Sequence, residues 1–115
     1  MTSTISSVIQ PLIQRKIFRT EEDAVRELLR DYLLRQIAEL QQKIEQFRHK
    51  YAMDFHQFSE YLHERSALLE RSSLAQEQRQ VLGRAIMQEE DDWLDWKAAQ
   101  DMLDNWIGIR QEVAV

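Results

Sequence analysis

Six apolar residues, Leu33, Ile37, Leu40, Ile44, Phe47 and Tyr51, recur at alternating steps of four and three. This 3.5-residue period draws one narrow stripe along almost three heptads of helix. A second series with the same spacing occupies positions 82, 86, 89, 93, 96, 100, 103 and 107. Six of its members are apolar (Leu82, Ile86, Trp93, Trp96, Leu103 and Ile107), and Glu89 and Gln100 interrupt it. One Pro and two Gly in 115 residues leave few places where such helices must break. A helix from Thr20 to Ala52 would be about 50 Å long, and one from Leu74 to Ile107 similar. A compact chain of this size has a radius of gyration of only about 13–14 Å. The stripes must therefore be covered by each other in a hairpin, by another copy of the chain, or by both. The expected fold is all-α: long amphipathic helices in a hairpin or bundle, dimeric through the coiled-coil-like seam Leu33, Ile37, Leu40, Ile44, Phe47 and Tyr51. Whether that seam pairs between copies or within one chain is left open by the spacing.

Boundaries are read from capping residues. Thr20 followed by Glu21, Glu22 and Asp23 resembles a capping box with acids suited to the helix dipole. The step of four from Tyr51 to Phe55 follows another step of four, which marks a stutter or a new helix capped by Asp54, with the break at 52–54. Ser72-Ser73 reads as a turn and fresh cap, and Asn105 with Gly108 as the end of the last helix. Pro11 suits the first position of a helix. Ahead of it, residues 2–9 (TSTISSVI) read either as a short strand or as a helix start capped by Ser7.

Charge divides the chain. Residues 1–53 carry nine bases and seven acids; residues 54–115 carry six bases and thirteen acids. This asymmetry separates an N-terminal helical region, 1–53, from an acidic C-terminal helical region, 54–115, and suggests that each meets a different partner. No stretch approaches 18 consecutive apolar residues, and the first ten residues lack a basic and then apolar leader, so the expectation is a cytoplasmic protein without a membrane partner. The absence of Cys excludes disulfides, thiolate metal sites and cysteine nucleophiles.

The residues argue against catalysis. His49, His56 and His63 are spaced by seven, about 10.5 Å along a helix, too far apart to share an ion. Glu60 and His63 form one Glu-x-x-His element, whereas a di-iron bundle needs two. Ser59 and His63 could hydrogen-bond on one helix face, yet no orienting acid or oxyanion hole accompanies them. No catalytic residue, metal, cofactor or small-molecule substrate is expected.

Binding is the better expectation. Seven acids and one Lys fall within 89–104, interleaved with Trp93 and Trp96 and followed by Trp106. Large rigid rings are common anchors at interfaces, and acids suit a basic groove. Glu89, Asp92, Trp93, Trp96, Leu103 and Trp106 are thus candidate partner-binding residues, with core packing of the Trp side chains as the bland alternative. Arg15, Lys16 and Arg19 flank the turn before the Thr20 helix, and Arg26 and Arg30 follow one and two turns in. Together they make a candidate nucleic-acid surface, opposed by the acids at 21–23.

The stretch Ile17-Phe18-Arg19-Thr20-Glu21-Glu22-Asp23-Ala24-Val25-Arg26-Glu27-Leu28-Leu29-Arg30 resembles the helix junction of ribbon-helix-helix antitoxins of the ParD or CopG kind, over residues 11–40 at most. The resemblance implies a homodimer whose N-terminal strands enter the DNA major groove, with Thr4 and Ser6 facing bases and Arg15, Lys16, Arg19 and Arg26 on phosphates. It further implies a C-terminal half that wraps and neutralises a toxin. The alternative is a self-associating helical scaffold or adaptor with neither DNA nor toxin as partner.

Overall fold

The computed structural model describes residues 4–71, 73 and 75–113. Among them are four helices and no strand: α1 (Thr4–Gln14), α2 (Glu21–Tyr51), α3 (Phe55–Arg71) and α4 (Gln76–Val113). The all-α expectation holds, and no helix is long and apolar enough to cross a membrane among these residues.

The strand reading of the N-terminus is corrected: from Thr4 onward it is helical, while residues 2 and 3 lie outside the described residues. Ile5, Val8, Ile9 and Leu12 recur at helical spacing, which outweighs the β-branched composition once Ile9 can be buried. Ser6 Oγ and Gln10 Nε2 donate to the Glu21 carboxylate at 3.0 and 2.5 Å, tying α1 to the start of α2. Pro11 lies inside α1 instead of opening a helix. The helix ends in a Schellman motif, with Lys16 at φ 60°, its N–H on Ile13 O and the Ile17 N–H on Leu12 O, both 3.0 Å.

Both predicted caps form. The Asp23 N–H donates to Thr20 Oγ1 at 3.1 Å. At the next break the Gln57 N–H donates to Asp54 Oδ1 at 2.8 Å, and the Asp54 N–H donates back to Gln57 Oε1 at 3.0 Å, a reciprocal capping box. Acids occupy the first turn of α2 and Arg48, His49 and Lys50 its last, each matched to the helix dipole. Of the expected Ser72–Ser73 turn, Ser73 lies outside any helix, between α3 and α4, and Ser72 lies outside the described residues. The expected stop at Asn105 and Gly108 is corrected. No glycine adopts positive φ, and α4 runs on to Val113 because its last turns find apolar company. Trp106 packs edge-on against Tyr32 at 5.8 Å, and Val113 lines a cavity together with Val25 and Leu29.

By packing, the chain forms two compact units, 1–38 with 106–115, and 39–105. The sequence boundary at 53/54 coincides instead with the break between α2 and α3. The first unit buries Ile9, Ala24, Leu33 and Ile37. The second is built on Phe58, Leu62 and Trp96, with Ile44, Phe47, Tyr51, Met53, Phe55, Tyr61 and Trp93 packed around them. Along the α2 seam Leu33 and Ile37 are buried, Leu40 is half-buried, and Ile44, Phe47 and Tyr51, also half-buried, pack on the second core.

Ala52 follows α2 at φ 53°, a left-handed conformation that costs a residue with a Cβ about 1–2 kcal/mol. Ala52→Gly should raise stability by about 0.5–1 kcal/mol after the entropy of the added glycine is counted. Denaturant unfolding measures this directly.

Candidate partner-binding site

The residues that sequence analysis placed at a partner interface belong mainly to the inner stripe of α4. Trp96 is fully buried, stacked at 5.5 Å on both Phe47 and Phe58 and meeting Phe55 edge-on at 5.5 Å. Trp93 is half-buried, stacks on Phe55 at 5.6 Å and donates its indole N–H to Ser59 Oγ at 2.7 Å. Leu103 is half-buried, and Trp106 packs on Tyr32 in the first unit. The three Trp are thus brought into the chain's own packing, the alternative to partner anchoring.

Two of the acids are engaged as well. Asp92 Oδ2 accepts from Lys50 Nζ at 2.6 Å and from the Tyr51 hydroxyl. Burial alone would raise the Asp92 pKa; the two hydrogen bonds and the ammonium charge outweigh it and hold the carboxyl below its ordinary range. Burial, then the Asp92 hydrogen bond and charge, push the Tyr51 hydroxyl well above its usual pKa. Glu89 pairs with Arg65 Nη1 at 3.3 Å, and Arg65 also donates to the Tyr61 hydroxyl while lying 5.1 Å over that ring. Glu89, the apparent interruption of the stripe, is a charge on the inner face matched by a charge on α3.

What remains outward on α4 is a different set. Met87, Leu94 and Met102 are 67%, 58% and 49% exposed, and Glu90, Asp91, Asp95 and Asp101 stand exposed around them. Steps of seven and eight place these three apolar side chains on one line of the helix, opposite Trp96. Lys97 is the only base in this stretch, and it is paired with Asp101 at 3.0 Å. In the sequence this second apolar line is masked by the stronger Trp-bearing stripe. The spacing of Met87, Leu94 and Met102 is the signal that would have found it.

The nucleic-acid candidates fall on α1, the α1–α2 connection and α2. Thr4 opens α1 and is exposed, and Ser6 is bonded to Glu21. Arg15, Lys16 and Arg19 are exposed in the α1–α2 connection. Arg26 pairs with Glu22 at 2.9 Å, and Arg30 lies one turn further along. Among the residues weighed for chemistry, the Ser59 hydroxyl donates to Phe55 O at 2.9 Å while accepting from Trp93. His56 lies 3.1 Å from Glu60, and no group of three metal-binding side chains occurs among the described residues. Compared with family models, with curated proteins and with solved structures, the chain finds no match.

Trp96 Nε1 is buried with no hydrogen-bond partner among the described residues, a cost of about 1–3 kcal/mol. Trp96→Ala should lose about 3–5 kcal/mol of stability, whereas Trp96→Phe should lose much less, since it keeps a stacked ring and removes the orphan donor. Chemical unfolding of the two variants separates these outcomes.

The depressed Asp92 pKa sets the sign of a pH effect. The stabilisation is present above the ordinary value of 3.8 and is lost as pH falls through the lower folded value. The stability gap between wild type and Asp92→Asn should be widest at neutral pH and narrow below pH 3.8. Unfolding curves across an acid series test this.

Proposed function

We propose that the chain is a non-catalytic, antitoxin-like protein that neutralises a cognate basic toxin through the acidic C-terminal helix, self-associates, and contacts operator DNA with its N-terminal half. One observation carries the toxin-binding part: α4 bears a second apolar line, Met87, Leu94 and Met102, set among Glu90, Asp91, Asp95 and Asp101 and left in water by the chain's own packing. A helix of this kind fits an apolar groove with a basic rim. The contact residues in this reading are the outward set, with Trp93 and Trp96 stiffening the helix from behind. The DNA part rests on the resemblance of residues 17–30 and on the exposed bases of the α1–α2 connection.

A second reading, a self-associating helical scaffold, is favoured by the first unit. Of fourteen exposed large apolar residues among those described, nine belong to it, including Ile5 and Val8 at 68% and the helical set Val25, Leu28, Leu29 and Tyr32. Four buried residues among those described make a small core for such a unit. A second copy meeting this face would dry it.

Co-expression with the product of the adjacent gene tests the leading reading. A stable complex should form, Leu94→Asp should weaken it at least about tenfold, and Trp96→Phe should leave it nearly unchanged. If the chain purifies alone as a dimer with no complex, the scaffold reading holds.

A further inference from the structure

Three arginines converge on one cavity in the first unit. Arg26 and Arg30 from α2 and Arg110 from α4 line a space of about 300 Å³ together with Leu33, Leu34 and Val113. The chain has more acids than bases, yet no acid is among these lining residues. Arg30 and Arg110 make no hydrogen bond or ion pair with the described residues. Arg26 is held only by Glu22, at 2.9 Å, in a solvent-exposed pair of the kind worth about 0.3–0.5 kcal/mol. Arg26 and Arg30 are one helical turn apart, where like charges repel. Three cations gathered around an apolar floor, two of them without a counter-charge and the third in one exposed pair, are stabilised by an anion that enters between them.

The chemistry of the cluster narrows the anion. One guanidinium can satisfy a carboxylate through a two-pronged contact. A phosphate group has three terminal oxygens and close to two negative charges at neutral pH, so it can engage several guanidinium groups at once. The cavity is larger than a bare phosphate needs, and half of its lining is aliphatic. We infer that Arg26, Arg30 and Arg110 form a site for the phosphate group of an organic phosphate, whose body lies on Leu33, Leu34 and Val113. A mononucleotide carries such a monoester; a nucleic-acid backbone presents a diester with two terminal oxygens and one charge, and would engage the three guanidinium groups through neighbouring phosphates. In either case Arg110, far along the chain from the N-terminal bases, is part of the site. The inference does not depend on toxin binding by the outward face of α4.

Calorimetric titration of the full chain with a nucleoside 5′-monophosphate, inorganic phosphate and a short DNA duplex tests the site. The expected result is binding of the mononucleotide or the duplex that Arg30→Gln and Arg110→Gln each weaken about tenfold. Glu22→Gln, which releases Arg26, should tighten it about two- to threefold. Binding of the mononucleotide identifies a small-molecule source. Binding of the duplex alone, with the same sensitivity to Arg110→Gln, identifies the backbone as the source. The substituted residues are exposed, so unchanged helical circular dichroism confirms that folding is not the cause of any loss. Failure of all three probes to bind, binding of inorganic phosphate alone, or binding indifferent to Arg30→Gln and Arg110→Gln overturns the inference.

Discussion

The second unit depends on the aromatic stack around Trp96. Phe47 from α2, Phe55 and Phe58 from α3 and Trp93 from α4 lie in one connected set of ring contacts, with centroids 5.5–5.6 Å apart in the contacts of Trp96 and Trp93. Such pairs contribute about 0.5–1.5 kcal/mol each beyond the area they bury. The stack also orients what surrounds it. With Trp96 inward, every residue seven positions away on α4 is turned inward too, and the opposite line is turned to water.

That orientation sorts the acids of α4 into two groups with different work. Glu89 and Asp92 sit at the edge of the stack and are matched by Arg65, Lys50 and Tyr51. Partly buried charges of this kind are tolerated because they are paired, and removing one partner is the costly change. Glu90, Asp91, Asp95 and Asp101 have no such structural duty toward the core, apart from the surface pair of Asp101 with Lys97. They form the field around Met87, Leu94 and Met102, and electrostatic steering by that field would speed encounter with a basic partner.

The first unit shows the opposite economy, with a small core and a broad apolar exterior. Its α1 is helical where a ribbon-helix-helix resemblance implies a strand, and its polar residues Ser6 and Gln10 serve the junction with Glu21. Helix packing there leaves Val25, Leu28, Leu29 and Tyr32 along one side of α2 and gathers Arg26, Arg30 and Arg110 on another. The two sides offer different chemistry, one apolar and suited to another protein surface, the other cationic.

Local chemistry alone determined the all-helical class, the Thr20 and Asp54 caps and the break after Tyr51, because each depends on residues within one or two turns. The inward stripe of α4 was legible for the same reason: periodicity records a helix face directly. It does not record what covers that face. Whether Trp96 anchors a partner or a core, whether Glu89 is a binding group or half of an ion pair, and whether Arg110 joins Arg26 and Arg30 are decided by contacts between residues tens of positions apart. The N-terminus failed as a strand for a related reason, since β-branched composition is a weak preference and burial of Ile9 in helical register overrides it. Only the tertiary structure assigned each stripe its partner, and with it the face that is left for function.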